Sequence, residues 1–313
     1  MTVPEYMPYM LGILFVFISC KEPTMEFELT QFTIQYEVPS ASGLVYASDR
    51  YFAIGDDAPF LYELDSAFDL LKQYPIHAAA ETGVVRIPKK DKPDFEAMEM
   101  VGEKEILIFG SGSKADKRNG LLRILLEDPI RIETYDLSAF YAHLKNISGV
   151  GKHFNIEAAA FSDGNLYLFN RTKNRIFFFQ YEHMLAYLTG KAEMPEISVH
   201  SYTLPSIGLV NAGFSGATFH QQSKMLILTA SVEVTDNPID DGAVLGSFIG
   251  LIPTHHGSPL PEAQWLQLNI PGDPVKVESI TITKTLEAQS IAVTMATDSD
   301  GGESHMIKGI LRW

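Results

Sequence analysis

A motif that recurs five times constrains the fold of this chain more than any other feature. Each copy starts with Ser or Glu and a small residue, continues as an apolar strand, turns, and returns as a second apolar strand. We call the starting residues anchors, and they are separated by 54, 61, 58 and 63 positions: Ser42, Glu96, Glu157, Ser215 and Glu278. Short strands that repeat with a period of about 40 to 60 residues predict a β-propeller.

The number of blades follows from the strands after each anchor. All five repeats contain a third strand, and a fourth, outer strand follows in the first four. The fifth repeat reaches Trp313 without one, whereas residues 27–38 alternate apolar and polar side chains as a strand does. Because a closed ring leaves no open sheet edge, this N-terminal strand should complete the fifth blade. We therefore predict an all-β, five-bladed β-propeller closed by the N-terminal strand. A six-bladed ring is the alternative, and it would need a sixth anchor.

The first 24 residues differ in character from the repeats. An apolar run, 11-LGILFVFIS-19, precedes the only cysteine, Cys20, and is shorter than the ~20 residues that span a bilayer. This spacing resembles a bacterial lipobox, in which cleavage before the cysteine frees its thiol for lipid attachment. The residues before the run carry no Lys or Arg, unlike the start of most secretory signals.

These features predict the domain organisation and the location of the protein. We expect residues 1–24 to be a lipoprotein signal peptide with a short tether, and residues 25–313 to form a single propeller domain. The protein would then be anchored in the bacterial cell envelope, in the periplasm or at the outer membrane, through a lipid on Cys20. The alternative is a cytosolic protein in which Cys20 lies in an apolar N-terminal helix.

Charge and cysteine content exclude some classes of partner. The chain has 24 Lys and Arg residues against 39 Asp and Glu residues, a formal net charge of −15. Binding to a nucleic acid backbone needs a basic stripe, which this composition does not supply. A single cysteine excludes an internal disulfide and a cysteine-rich metal site. The acid excess favours cations or neutral polar molecules as ligands over anions.

Propeller geometry predicts where polar residues meet. First strands line the central channel and successive strands are antiparallel, so the anchors and the loops after the second strands surround the same mouth. We predict a binding site there. The candidate catalytic residues are the carboxylates Glu96, Glu157 and Glu278. The candidate ligand-binding residues are Asp56, Asp57, Ser111, Ser113, Arg118, His153, Asn170, Arg171, Glu233 and Asp298. The alternative role for an anchor is structural, since a repeated residue can lock neighbouring blades through backbone hydrogen bonds.

Calcium is the one cofactor that the sequence suggests. Asp298 and Asp300, in 297-TDSDGG-302, offer spaced carboxylates of the kind that calcium prefers. The segment does not match a complete EF-hand loop, and clusters of Asp and Gly are also typical of turns. The sequence contains no G-x-S-x-G elbow, Walker-type loop or H-E-x-x-H motif, so it carries no complete catalytic signature.

The anchors and the residues that follow them resemble those of bacterial phytase-like propellers, as in Ser42-Gly43-Leu44, Glu96-Ala97-Met98 and Glu157-Ala158-Ala159. That group includes uncharacterised exported lipoproteins. The resemblance covers about residues 27–313 and implies the propeller fold. It does not imply phytase activity, because the sequence lacks the dense Asp and Lys set that calcium-bound phosphates require.

Two functions fit these features. We favour a non-catalytic binding propeller, attached to the membrane only through the Cys20 lipid, that holds a small polar ligand, glycan or protein at the channel mouth. The alternative is a glycosidase-like or phosphoesterase-like hydrolase, in which two of the three glutamates act as acid and base or nucleophile. Glycoside hydrolysis needs two carboxyl groups ~5 to 9.5 Å apart. The catalytic function is favoured if the glutamates face an open pocket and have raised pKa values. The binding function is favoured if the glutamate side chains accept hydrogen bonds from the backbone of neighbouring blades.

Overall fold

The computed structural model describes residues 24–114, 117–234, 242–298 and 302–313. Five antiparallel sheets of four main strands each form a five-bladed propeller. This confirms the predicted fold class and number of blades. Cys20, the segment before it and Asp300 lie outside the described residues. Within the described part of the chain, no helix has the length and apolar character needed to cross a membrane.

The strands run along the chain from blade to blade, starting with β1 (Glu26–Gln35). Blade 1 contains β2 (Ala41–Ala47), β3 (Arg50–Gly55), β4 (Phe60–Leu64) and β5 (Leu70–Pro75). Blade 2 contains β6 (Phe95–Val101), β7 (Glu105–Gly110), β8 (Gly120–Leu125) and β9 (Arg131–Asp136). Blade 3 contains β10 (Ile156–Ser162), β11 (Asn165–Asn170), β12 (Arg175–Gln180) and β13 (Ser198–Ser201).

The last two blades are less regular. A short hairpin, β14 (Ser206–Ile207) and β15 (Val210–Asn211), precedes blade 4. Blade 4 contains β16 (Gly213–His220), β17 (Met225–Val234), β18 (Ala243–His255), the two-residue β19 (Ser258–Pro259) and β20 (Gln264–Gln267). Blade 5 contains β21 (Lys276–Glu287), β22 (Ser290–Asp298), β23 (Ser304–Arg312) and, as its outer strand, β1.

Helices occur only in the connections between strands of the described chain. Two of them are α-helices, α1 (Ser138–Ser148) and α2 (Tyr181–Leu188). Two short 3-10 helices cover Ala78–Thr82 and Gly151–His153. Helix α1 buries its apolar face between blades 2 and 3, where Phe140 and Leu144 join the hydrophobic core.

The blades pack face to face, and the core lies between them. Second strands such as β7 and β11 are apolar along nearly their whole length, because neighbouring blades cover both faces of each sheet. The segment 229–247, which reads as a long loop in the sequence, is largely the hairpin of β17 and β18, paired out to Val234 and Ala243. Residues 235–241, between those strands, lie outside the described residues.

Both ends of the described chain build blade 5. Strand β1 pairs with β23 from Glu26 opposite Arg312 to Gln35 opposite Ser304. Phe27 packs against the core between blades 4 and 5 and passes directly over Gly309. A Cβ atom at Gly309 would lie 2.2 Å from the Phe27 ring, so this position requires glycine. The expected closure of the ring by the N-terminal strand is confirmed.

Each anchor occupies a β-bulge. In every blade the register between the first and second strands skips one residue, and the skipped residue is the anchor: Ser42, Glu96, Glu157, Ser215 and Glu278. A bulge leaves its extra residue unpaired in the ladder and redirects its side chain. The five anchors therefore lie at the same depth of the ring, outside the pairing that holds each blade together.

Candidate functional site

One mouth of the channel forms a cavity of about 930 Å³. Its wall comes from the beginnings of first strands, the ends of second strands and the connections between blades. The predicted site residues that line it are Asp56, Asp57, Glu96, Arg118, His153, Glu157, Arg171, Glu233 and Asp298. The structure thus brings together, at one mouth, side chains from all five blades.

The remaining predicted residues lie behind the wall. Ser111 and Ser113 donate hydrogen bonds to Oδ2 of Asp94, at 2.5 and 3.2 Å. Asn170 is fully buried, and its Oδ1 accepts a hydrogen bond from the Asn155 N–H at 2.7 Å. Glu278 is only 3% exposed. These residues support the cavity wall and do not face the cavity.

A tightly paired cluster lies beside blade 2. The ammonium group of Lys92 bridges Asp56 and Asp94, with 2.8 Å between its Nζ and Oδ1 of Asp94. Asp94 also pairs with Arg118, and Nη1 of Arg118 donates to Oγ of Ser113 at 2.8 Å. Asp94 and Arg118 are almost completely buried. The cations in this part of the cavity are therefore neutralised by close partners.

A looser cluster joins blades 3, 4 and 5. Nη2 of Arg171 lies 3.3 Å from Oε2 of Glu233, whereas Nη1 lies 3.9 Å from Oε2 of Glu157. Nζ of Lys276 lies 3.2 Å from Oε1 of Glu278 and 3.7 Å from Oε2 of Glu233. Only the shorter Arg171 contact is a well-formed hydrogen bond between these cations and acids. These ion pairs are longer than those around Asp94.

Burial changes the protonation of the glutamates. It raises the pKa of Glu157 to about 8, even though Arg171 favours the charged form. The pKa of Glu96 is raised well above its usual value by burial and by the negative charges of Asp94 and Glu157. Among the described residues none donates a hydrogen bond to the Glu96 carboxyl group, which opens into the cavity. Glu157 is therefore mainly protonated near neutral pH, and the raised pKa of Glu96 favours its neutral form.

The pKa of Asp56 is raised less, to about 6, because Lys92 opposes the effect of burial. Near neutral pH Asp56 is mainly ionised, whereas the raised pKa of its neighbour Glu96 favours the neutral form. Carboxylate oxygens of Asp56, Asp94 and Glu96 lie within 4.8 Å of one another. Two carboxyl groups this close favour opposite protonation states, since like charges repel.

The raised pKa of Glu157 predicts that stability falls as pH rises. An unfolded chain releases this proton near pH 4.5, but the folded protein keeps it until about pH 8. The stability that Glu157 contributes is thus fully present below pH 4.5 and is lost as pH rises through about 8. We expect Tm to fall between about pH 5 and 8, and Glu157→Gln to flatten this slope. Glu193→Gln, at an exposed position, is the control, and equal slopes in wild type and Glu157→Gln would contradict the assignment.

The anchors divide into two kinds. Ser42 donates a hydrogen bond to the Phe95 carbonyl of the next blade at 2.5 Å, and Ser215 is fully buried among the hydroxyl groups of Thr229 and Ser231. Ser42 therefore locks neighbouring blades as expected of a repeated residue, whereas Ser215 contacts hydroxyl groups of its own blade. The glutamate anchors instead belong to the charged clusters at the cavity.

A second position in each repeat also contributes to the cavity, although its residues are not among the predicted site residues. The residue two positions before the anchor lines the cavity in all five blades: Ser40, Asp94, Asn155, Gly213 and Lys276. Alternate residues of a strand point to the same side, so this position accompanies each anchor. Its constant offset was visible in the sequence. Lys92 and Arg86 could not be predicted in this way, because they lie in a connection between blades whose sequence is not repeated.

The lining of the cavity is much richer in cations than the whole chain. Eight of the 24 Lys and Arg residues line it: Arg86, Lys89, Lys92, Arg118, Lys152, Arg171, Lys173 and Lys276. Seven acids line the same cavity, one fewer than the cations, and burial raises the pKa values of two of them, Glu96 and Glu157. The ligand preference inferred from the overall composition therefore does not apply to this cavity.

A metal could be held by Asp56, Asp94 and Glu96, whose oxygens are close enough to share one ion. Lys92 already occupies that position and pairs with two of the three carboxylates. A divalent cation would have to displace this ammonium group, so we propose no metal there. Asp298 lines the cavity, but its predicted partner Asp300 is outside the described residues, and the predicted calcium pair stays a prediction.

Comparisons with known proteins identify the fold and the family. No curated protein matches the chain. Its structure is similar to glutaminyl cyclase from Myxococcus xanthus, with a TM-score of 0.50, 10% identity and coverage of 91% of this chain and 96% of that one. It is also similar to virginiamycin B lyase from Staphylococcus aureus, with a TM-score of 0.41, 12% identity and coverage of 90% and 99%. Identities this low show a common fold alone. A family model matches residues 37–311, so the chain belongs to a family of unknown function, DUF6929.

Proposed function

We propose that this protein binds a small polar molecule in the channel-mouth cavity and acts on it by proton transfer. The observation that carries the proposal is the pair of carboxyl groups on Asp56 and Glu96, which line an open cavity with oxygens within 4.8 Å of each other. The pKa of Asp56 is raised to about 6 and that of Glu96 is raised well above its usual value. Neighbouring carboxyl groups whose pKa values are pushed apart are a general arrangement for acid and base catalysis. In this arrangement Glu96 is the proton donor and Asp56 the acceptor.

The surroundings of the two groups support these roles. Oδ2 of Asp56 contacts Lys92, which keeps the carboxylate ionised, whereas Oδ1 has no hydrogen-bond partner among the described residues. That oxygen is buried without a partner, and a proton-donating group of a bound molecule would satisfy it. Glu96 has no such cation in hydrogen-bond contact among the described residues, and its raised pKa favours the protonated form that can donate. The substrate would be a polar molecule small enough for a cavity of about 930 Å³.

The proposal is tested with a panel of chromogenic glycosides, phosphomonoesters, carboxylic esters and lactones. We expect turnover of one class, with Glu96→Gln lowering kcat by about 10² to 10⁴. Lys191→Gln, at an exposed position outside the cavity, is the control. The wild-type rate should decline below about pH 6, where Asp56 becomes protonated. Equal rates in Glu96→Gln and wild type would show that the glutamate transfers no proton.

Non-catalytic binding is the second candidate, and the charged lining favours it as much as it favours catalysis. A thermal-shift screen with oligosaccharides, phosphoesters and small organic acids separates the two. A ligand that binds the native state raises Tm by mass action. Stabilisation by a ligand that is never converted, in both wild type and Glu96→Gln, would support a binding protein and count against catalysis.

We also propose that the protein is exported and carries a lipid on Cys20. The support is the lipobox-like sequence and its position, because β1 begins at Glu26 on the outside of blade 5, shortly after Cys20. A chain that leaves the propeller there can tether it without entering the ring. Metabolic labelling with a fatty-acid analogue should mark the wild type and not Cys20→Ala. An unlabelled wild-type protein would eliminate the lipid anchor.

A further inference from the structure

Arg171 lines the cavity, and one of its guanidinium nitrogens has no hydrogen-bond partner in the part of the chain that the structure describes. Nη2 is held by Glu233 at 3.3 Å. Nη1 is buried and has no hydrogen-bond partner among the described residues, and Glu157, its neighbour, lies at 3.9 Å. A buried N–H group without an acceptor is costly, and a ligand oxygen can remove that cost.

Lys276 adds a second cation beside Arg171. Both contact Glu233, with Nζ of Lys276 3.7 Å from its Oε2. Burial raises the pKa of Glu157 to about 8 and also raises that of Glu278, which favours the neutral forms of these two neighbours. Two cations therefore lie side by side at this end of the cavity, where the ion pairs are long.

The opposite end of the cavity differs. Lys92 and Arg118 both contact Asp94, at 2.8 Å for Lys92, and Lys92 also contacts Asp56, so two carboxylates face the two cations. Carboxylates of the protein already pair with these two cations, which are therefore poorly placed to bind a ligand anion. Two exposed lysines, Lys152 and Lys173, lie at the Arg171 side and can attract anions toward it.

We propose that Arg171 and Lys276 form an anion subsite, which holds a carboxylate or phosphate group of the ligand while the rest of the molecule extends toward Asp56 and Glu96. The inference rests on the proposed function, because it places the ligand in the same cavity. Arg is suited to this role, since its guanidinium group stays charged and Nη1, which has no partner among the described residues, can donate to a carboxylate or phosphate oxygen. Lys276 supplies a point charge beside it.

Occupation of the subsite should be accompanied by proton uptake. Glu157 is faced by Arg171 and Lys276 and by the acids Glu278, Asp94 and Glu96. An added anion disfavours the charged form of Glu157 and raises its pKa further. Near pH 8 about half of the Glu157 groups are ionised, so binding should take up a fraction of a proton.

Isothermal titration of the full propeller with inorganic phosphate and, separately, with succinate tests the subsite. Measurements near pH 8 in buffers of different ionisation enthalpy report the proton uptake. We expect Arg171→Met to weaken binding about tenfold or more, as loss of a charge-assisted hydrogen bond does. Arg131→Met, on the outer strand of blade 2 with a side chain 56% exposed, is the matched control and should bind as wild type does.

The outcomes separate this inference from the proposed function. Binding of phosphate alone identifies a phosphoryl group, binding of succinate alone a carboxylate, and each supports the subsite if Arg171→Met weakens it. Lys276→Met gives an independent measurement if Arg171→Met does not fold. Anion binding that neither variant changes overturns the subsite. Turnover or binding of neutral molecules only, sensitive to Glu96→Gln, overturns the subsite and leaves the proposed function intact. Absence of binding by every class overturns both.

Discussion

Removal of β1 is expected to abolish the cooperative unfolding transition of the protein and to cause aggregation. The strand pairs with β23 along its whole length, and its Phe27 and Leu29 side chains cover the core between blades 4 and 5. A chain that starts at Tyr36 would leave the β23 edge unpaired and an apolar surface open to solvent. Exposed edges of this kind are templates for association with other chains.

Circular dichroism on heating and size-exclusion chromatography measure this effect. The matched control starts at Thr24 and keeps β1 and every other described element. We expect the control to melt in one transition as a monodisperse species, and the chain from Tyr36 to be absent from the soluble fraction or to elute as aggregate. A chain from Tyr36 that melts like the control would show that blade 5 needs only three strands.

Substitution of Asp94 by Asn should destabilise the fold by about 3 kcal/mol, because removal of one partner leaves buried charges unpaired. Asp94 is 3% exposed and pairs with both Lys92 and Arg118, of which Arg118 is 5% exposed. Its backbone has a φ of 57°, a left-handed conformation that Asn also adopts readily. The substitution therefore removes the charge without adding backbone strain. A loss of this size lowers Tm by about 5 °C in a domain of this size.

The control for this prediction lies three positions away. Asp91 pairs with Lys117 at 2.7 Å, but the two side chains are 45% and 51% exposed. Asp91→Asn should leave Tm unchanged, since exposed ion pairs contribute little to stability. A double variant, Asp94→Asn with Arg118→Met, should recover part of the lost stability because it also removes an unpaired charge. Equal Tm values for Asp91→Asn and Asp94→Asn would show that burial does not control these ion pairs.

The blades and their order were predictable from the sequence because each blade depends on local signals. Strand alternation, turn residues and the anchor recur within every repeat of roughly 60 residues, and ring closure fixed the role of residues 27–38. The mouth of the channel was predictable for the same reason. Glu96 and Arg171 occupy positions that the repeat itself defines, and both line the cavity.

The charge balance of the site could not be obtained in this way. Lys92 and Arg86 come from a connection between blades 1 and 2 that has no counterpart in the other repeats, yet they contact Asp56 and Asp57. Protonation of Glu157 depends on burial, which is a property of the closed ring. Overall composition indicated an acidic molecule, whereas the cavity gathers a third of its cations.

Because every anchor lies in a bulge, the side chains at the channel mouth can change without a change in the strand pairing that builds the ring. A residue excluded from ladder pairing can change identity while the strands on either side keep their register, and serine and glutamate already share this position. New binding specificities could therefore arise by single substitutions in one blade at a time, while the strand pairing of the propeller stays unchanged. In protein engineering, the two anchors that line the cavity, Glu96 and Glu157, are the first positions to vary in order to change what the cavity recognises.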